Sequence, residues 1–148
     1  MPAMPDDPAE RERIRDGVLR GCYRYLASPD EELKPAAIMF SGTLWQAAVE
    51  AREMLAADWG VGAQCWSVTS YKALRDDALE VERWNRLHPG SAQRDSYLAR
   101  TLRDLQGPVV AVSDYLKAVP DQIARFVPGS FVPLGTDGFG RSDSRAAL

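Results

Sequence analysis

The sequence predicts an α/β domain with three layers, in which helices cover both faces of a mostly parallel, five-stranded sheet. Strand-like runs alternate with amphipathic helical segments along the chain, which is the pattern of parallel sheets with right-handed crossovers. Residues 109–112 form an unbroken run of valine and alanine, as in a strand that is covered on both faces. The 148 residues, 45% of them hydrophobic, suit one domain with its own core.

The first 13 residues differ from the rest in composition. They contain three prolines and six charged residues, so we expect an extended linker from an upstream domain, followed by the domain proper over residues 14–148. They hold no apolar run of the kind found in a signal peptide, and no stretch of the chain approaches the ~18 apolar residues of a membrane span. We therefore expect a cytoplasmic protein that does not enter a membrane.

Two strands are predicted before the first clear helix. Residues 18–26 alternate and carry tyrosines, which favours a strand, with a short helix as the alternative. Residues 35–41 are a short apolar run that ends at Gly42. Thr43 stands three residues before Gln46, the spacing of a capping box. A helix is therefore predicted over residues 43–59, and we expect its apolar face to meet the sheet through Leu44, Ala48, Ala51 and Leu55.

The second half of the chain predicts three more strands and their connections. Residues 63–68 form a strand candidate, after which Ser70 caps a helix that runs to about Leu87. A further helix is expected from Ser96, with its leucines inward, until Gly107-Pro108 stops it. After the strand at residues 109–112, Pro120 is expected to open a helix. Residues 131–134 give the last strand, and residues 135–145 form a glycine-rich loop.

Charge and cysteine content exclude several classes of function. The chain has 18 Lys and Arg against 21 Asp and Glu, with no basic tract, so we expect no nucleic-acid partner. Cys22 and Cys65 lie in apolar stretches without metal-ligand spacing. We interpret both as buried thiols of a reducing compartment rather than as metal ligands or a disulfide.

Few residues have the features of a binding or catalytic site. Residues 41–43 lie between a strand and a helix N-terminus, where they can bind an anion or simply form a tight turn. The loop at residues 135–145 follows a strand, so it can contact a ligand or be held by its own Asp–Arg pairs. His88, the only histidine, has the position of a helix cap rather than of a general base. The four tryptophans indicate core or interface packing.

Several strings occur here in an order found in one known family. They are Met1-Pro-Ala-Met-Pro5, Ser67-Val-Thr-Ser70, Glu82-Arg-Trp-Asn85, Leu87-His88-Pro89, Val112-Ser-Asp-Tyr115 and Gly135-Thr-Asp-Gly-Phe-Gly-Arg-Ser-Asp-Ser-Arg145. Together they resemble the C-terminal part of the homodimeric pyruvate dehydrogenase first component of the transketolase superfamily. Asp137, Phe139, Gly140 and Ser142 also match the looser Asp-x-Phe-Gly-x-Ser loop of transketolases.

The resemblance implies a function for a longer polypeptide. Such an enzyme uses thiamine diphosphate and magnesium to decarboxylate a 2-oxo acid such as pyruvate, and transfers the acetyl group to a lipoyl acyltransferase component. Two further domains hold the cofactor and the catalytic groups. Here Thr136-Asp137-Gly138 lacks the first glycine of the family's Gly-Asp-Gly motif, and Asn-Asn does not occur. We therefore expect no catalytic, cofactor-binding or metal-binding residue in this chain, and no activity when it is alone.

The expected role is structural, in contact with the other domains and with a second subunit. The residues predicted to make interface or anion contacts are Thr43, Asp137, Phe139, Arg141, Ser142, Asp143 and Arg145. Arg141 is the leading candidate because its planar fork can engage a carboxylate or two carbonyls. The family continues with a further strand and helix, so we expect an exposed apolar sheet face here. The alternative is a free-standing anion-binding or assembly module with a transketolase-like fold.

Overall fold

The computed structural model describes residues 5–138 and has the predicted fold class. Five helices and five strands follow one another along the described chain. In chain order they are α1 (Pro8–Arg20), β1 (Cys22–Leu26), β2 (Lys34–Phe40), α2 (Trp45–Trp59), β3 (Val61–Val68), α3 (Tyr71–Leu87), α4 (Tyr97–Thr101), β4 (Val109–Leu116), α5 (Ala118–Asp121) and β5 (Phe131–Thr136). Short 3-10 turns cover Gly42–Leu44 and Ala124–Phe126.

The strands form one sheet in the order β1-β3-β2-β4-β5. Strands β3, β2, β4 and β5 run parallel to one another, and among residues 5–138 only the edge strand β1 is antiparallel, to β3. Strand β2 is central, since Met39 pairs with Trp66 on one side and with Ala111 on the other. The carboxyl ends of β2, β3, β4 and β5 consequently meet at one edge of the sheet.

Helices lie on both faces of this sheet, and each face has its own core. The α3 face buries Met39 against Leu74 of α3 and Leu98 of α4. The α2 face buries Ile38 and Phe40 with Ala48 of α2. Alternate residues of β2 therefore enter opposite cores, as expected of a strand covered on both faces.

The N-terminal segment corrects one prediction, because residues 8–13 are helical rather than extended. The Asp7 side chain accepts hydrogen bonds from the amides of Ala9 and Glu10, and Pro8 occupies the first turn. The charged residues pair along the helix at spacings of three and four, including Arg20 with Asp16 at 2.8 Å. Composition alone suggested a linker, whereas the cap and the spacing of the charges stabilise a helix. The domain boundary at residue 14 stays a prediction.

The start of α2 corrects a second prediction. Gly42–Leu44 is a 3-10 turn, α2 begins at Trp45, and the helix has no side-chain cap. The Thr43 hydroxyl instead donates to the Asp114 carboxylate at 3.1 Å, so the capping box does not form. A tertiary contact with β4 has replaced the local one.

The remaining boundaries differ by a few residues from the predictions. Strand β1 begins only at Cys22, because residues 18–20 belong to α1. Helix α4 ends at Thr101, although Leu98 and Leu102 are buried as expected. Helix α5 is a single turn in which Pro120 is the third residue rather than the first. Ser70 caps α3 as predicted, and Ser96, from which a further helix is expected, caps α4; each side chain accepts an amide hydrogen bond at 3.1 Å.

Within residues 5–138, no helix combines the length and the apolar character needed to cross a bilayer.

Candidate functional site

The topological switch point of the sheet lies at its carboxyl edge, between β2 and β4. After β2 the chain passes into α2 on one face of the sheet. After β4 it passes into α5 on the α3 face, where Pro120 is buried. Because β2 and β4 are neighbours, their carboxyl ends frame a crevice of the type in which open α/β sheets bind ligands. The residues around this crevice are therefore candidates for a ligand-binding site.

Two hydrogen bonds join the ends of β2 and β4 across the crevice. The hydroxyl groups of Ser41 and Tyr115 are 2.7 Å apart, and Thr43 donates to Asp114 at 3.1 Å. Thr43, one of the predicted contact residues, therefore lies at this edge with its hydroxyl engaged by a carboxylate. Sequence reasoning missed Asp114 and Tyr115 because both lie more than 70 residues from their partners in the chain.

A cavity of about 410 Å³ lies beside these bonds on the α3 face. Its walls come from the turn after β2, the start of α3, Tyr115 of β4 and α5. Tyr71, the first residue of α3, lines this cavity and is almost fully buried. Within the described chain its hydroxyl has no hydrogen-bond partner. Burial raises the pKa of Tyr71, and the neighbouring Tyr115 raises it further.

The opposite face of the sheet has a groove of about 480 Å³ beside α2. Apolar residues of α2, β2, β4 and β5 make most of its wall. On β5, Val132 is 43% exposed and Leu134 is 50% exposed. Helix α2 packs on β2 and β3, which leaves this side of β4 and β5 without a helix in the described chain. Among residues 5–138, this side of the sheet is therefore exposed and apolar, as expected.

The end of β5 holds the start of the glycine-rich loop. Gly135 lies so close to β4 that an added Cβ would stand 2.5 Å from the carbonyl oxygen of Tyr115. Asp137 is exposed and forms an ion pair with Lys117. The hydrogen bond from the Lys117 ammonium to the Asp137 carboxylate raises the pKa of Lys117. Thr43 and Asp137 therefore make separate contacts, with β4 and with the segment that follows it. Among the other predicted contact residues, Phe139, Arg141, Ser142, Asp143 and Arg145 lie outside the described residues.

The histidine and the two cysteines lie where they contribute to packing and helix capping. His88 ends α3, where its Nδ1 is 2.8 Å from the Trp84 carbonyl oxygen and its ring stacks on Trp84. Cys22 and Cys65 are buried free thiols, and burial raises their pKa to about 12 and about 11. Among residues 5–138, no group of three His, Cys, Asp or Glu side chains is placed to hold a metal ion.

The tryptophans divide between the core and the surface. Trp66 is buried in the core of the α3 face, and Trp84 is partly covered by Arg94, whose guanidinium carbon is 3.6 Å from the ring centre. Trp59, at the end of α2, is 73% exposed. The prediction of core packing is therefore wrong for Trp59, and a role for this side chain in an interface stays a prediction.

Comparison with known proteins agrees with this architecture. The family described as the transketolase-like TK C-terminal domain matches residues 21–148. The chain belongs to this family. Its relatives include the pyruvate dehydrogenase E1 component of Mycobacterium tuberculosis, 47% identical over 95% of this chain and 15% of that protein. The Pseudomonas aeruginosa and Escherichia coli proteins of the same name are 43% and 40% identical over 95% and 100% of this chain.

The chain spans only 15% to 16% of the length of these curated relatives. The resemblance expected from its sequence strings is confirmed, and the family is one of enzymes.

Proposed function

We propose that this chain serves as the C-terminal domain of a thiamine-diphosphate-dependent pyruvate dehydrogenase first component, and that it contributes architecture rather than chemistry. The parent enzyme decarboxylates pyruvate and passes the acetyl group to a lipoyl acyltransferase component. The observation that carries this proposal is the match of nearly the whole chain to a small part of each pyruvate dehydrogenase E1 relative. A domain of this size would act with several hundred residues of the same polypeptide.

The apolar groove supports a role in packing. Val132 and Leu134 are aliphatic and half exposed beside a cavity lined by α2 and β4. A contiguous apolar surface of this kind is typical of a contact with more protein. Burial against other domains of the parent enzyme would remove this surface from water, so the domain would be more stable inside the enzyme than alone.

The donor groups of residues 5–138 do not fit the magnesium that accompanies thiamine diphosphate. Magnesium in proteins takes carboxylates and other oxygen ligands in octahedral geometry, and the carboxylates here are dispersed or paired with Arg and Lys. The proposal therefore assigns no catalytic step to this chain and places cofactor binding in the other domains. The isolated chain would have no decarboxylase activity.

The domain would act in a cytoplasmic assembly with other protein subunits. The domain would help to form a homodimer, and the glycine-rich loop, with Arg141 as its leading residue, would orient contacts at a subunit or domain boundary. Two buried free thiols suit the reducing cytoplasm. The alternative, a free-standing anion-binding or assembly module, is less well supported at Thr43, because the Asp114 carboxylate already occupies its hydroxyl.

A calorimetric titration tests whether the cofactor binds outside this domain. Thiamine diphosphate with magnesium chloride is added to the 148-residue chain and, as a positive control, to the complete E. coli relative. We expect binding heat only from the complete protein. Micromolar binding by the 148-residue chain would show that the cofactor site lies in this domain and would overturn the proposal.

A further inference from the structure

A cavity of about 340 Å³ lies beside the edge strand β1, on the α3 face of the sheet. Its described lining comes from α1, β1, β3 and α4 and consists of Arg13, Asp16, Tyr23, Arg24, Trp66, Tyr97 and Thr101. Elements that are far apart in the chain therefore meet around one concave space, as is typical of ligand-binding pockets. We call this space the α1–β1 cavity.

Arg24 lines this cavity from the core side of β1. Alternation along the strand places it on the same face as Cys22, which is fully buried in the core of the α3 face. Arg24 is also paired in register with Trp66, another residue of that core. Its side chain is exposed, and among residues 5–138 it forms no ion pair. A solvated guanidinium without a carboxylate partner is available to a ligand.

A second arginine, Arg13, lines the cavity from α1. It pairs with Glu10 at 3.4 Å, but both side chains are about half exposed, so solvent screens this ion pair and Arg13 can leave it. The carboxylate in the described lining, Asp16, accepts hydrogen bonds from the Arg20 Nε at 2.8 Å through both of its oxygens. Because Arg20 neutralises Asp16, Arg13 and Arg24 leave a positive charge in the cavity wall.

Two aromatic side chains give the cavity a fixed wall. The Tyr97 hydroxyl donates to the Cys22 carbonyl at 2.8 Å, and the Tyr97 amide donates to the Asp77 carboxylate at 2.6 Å. Arg20 lies over the Tyr97 ring, with its guanidinium carbon 5.4 Å from the ring centre. Trp66 is only 6% exposed and is held in the core. The shape of this wall is therefore set before a ligand binds, which lowers the entropy lost on binding.

Two guanidinium groups from different elements suit an oxyanion. A guanidinium presents its N–H donors in a planar fork that matches the oxygens of a carboxylate or a phosphate. The hydrogen bonds are charge-assisted, so they are stronger than those between neutral groups. The cavity of about 340 Å³ is within the range of small-molecule pockets and has room for one such group.

We propose that the α1–β1 cavity binds a small oxyanion, a carboxylate or a phosphate group, between the guanidinium groups of Arg13 and Arg24. The competing explanation is that Arg24 only keeps the edge strand β1 from pairing with a strand of another molecule. That role predicts no anion binding. The proposal does not depend on the pyruvate dehydrogenase assignment, because it rests on contacts within this chain.

The test is an NMR titration of the isotopically labelled 148-residue chain with sodium phosphate and, separately, sodium acetate. Sodium chloride keeps the ionic strength constant, and the pH is fixed. We expect saturable shifts of the Nε–H signals of Arg13 and Arg24. Saturation by phosphate alone assigns a phosphate group, saturation by acetate alone assigns a carboxylate, and saturation by both assigns an oxyanion in general. Shifts that stay linear with both anions would overturn the proposal.

Variants with matched controls locate the site. Arg13→Gln and Arg24→Gln each remove charge-assisted hydrogen bonds and should weaken binding about tenfold. Arg24→Lys keeps the charge but loses the planar fork, so its affinity should lie between those of Arg24→Gln and the parent chain. The controls, Arg15→Gln and Arg86→Gln, also remove one positive charge, but from exposed arginines outside the described lining. Both controls should bind like the parent chain.

A melting experiment adds a readout that protection of an edge strand would not give. An anion that binds the folded chain stabilises it by mass action, whereas phosphate also stabilises proteins in general. The melting temperature of the parent chain should therefore rise more with added phosphate than that of the double variant Arg13→Gln/Arg24→Gln. If Arg24→Gln does not fold, Arg13→Gln, at an exposed helix position, decides. Folded variants that bind as tightly as the controls would refute the assignment.

Discussion

Replacement of Leu74 by alanine tests the core that joins α3 to the sheet. Leu74 is fully buried on the face of α3 that packs with Cys22, Trp66 and Leu98. It also touches the turn between α1 and β1, where a Cβ added at Gly21 would stand 2.9 Å from the Leu74 Cγ. One side chain thus supports the helix, the edge strand and the turn together.

The expected loss follows from the atoms that are removed. Leucine to alanine removes three carbon atoms, and at ~0.8 kcal/mol for each buried methylene the transfer term is about 2.4 kcal/mol. The remaining cavity adds to this, and measured losses for such changes run from about 2 to 5 kcal/mol. Gly21 is fixed by hydrogen bonds from Thr69 and Ser70, so the cavity cannot close by movement of that turn. We therefore expect a loss of about 3 to 4 kcal/mol.

Urea unfolding followed by circular dichroism gives the measurement. Leu87→Ala is the matched control, since Leu87 lies on the same helix and is 63% exposed. The control should change the free energy of unfolding by less than about 0.5 kcal/mol. If Leu74→Ala lost no more than Leu87→Ala, the assignment of the buried face of α3 would be refuted.

The backbone at Gly107, the Cys22 thiol and the exposed Leu134 each allow a further test. Gly107→Ala should lower the free energy of unfolding by about 2 kcal/mol or more, because φ is 103° and the new Cβ would lie 1.9 Å from the Pro35 carbonyl oxygen; Gly90→Ala, with open space, should not. Burial raises the pKa of Cys22 to about 12, so the melting temperature should fall as pH rises above ~9, and less steeply in Cys22→Ala. The apolar groove should make the chain self-associate at high concentration, as sedimentation would show, and Leu134→Gln should leave the chain folded and reduce that association.

Local signals predicted most of the fold. Ser70 and Ser96 stand at helix starts where their side chains reach amides three residues on, and these short-range contacts need no knowledge of the sheet. The run at residues 109–112 is a strand of the sheet, as its composition indicated, but only one of its faces is covered by helices in the described chain, since Val110 and Val112 line the apolar groove. The composition of residues 1–13 does not reveal the start of the helix at residues 8–20, because prolines and charges are equally typical of a linker; the signal for the helix is the position of Asp7-Pro8 at its start.

The candidate site could be predicted only in part. The sequence placed Thr43 at a strand-to-helix turn, but the local capping box competes with Asp114, which is 71 residues away in the chain. The Ser41–Tyr115 contact likewise depends on which strands are neighbours. Tyr71 carries no signal in the sequence, and only the structure shows that its hydroxyl is buried without a partner among the described residues. Long-range pairings of this kind leave no periodic pattern in a sequence.

The central claim, that this chain can serve as the C-terminal domain of a pyruvate dehydrogenase, is tested most directly by domain exchange. The chain replaces the matching part of the M. tuberculosis E1 component, and pyruvate-dependent activity and subunit assembly are measured beside the parent enzyme and a variant that lacks the region. We predict an active, dimeric chimaera and an inactive deletion variant. A folded chimaera without activity, or a deletion variant with full activity, would contradict the account.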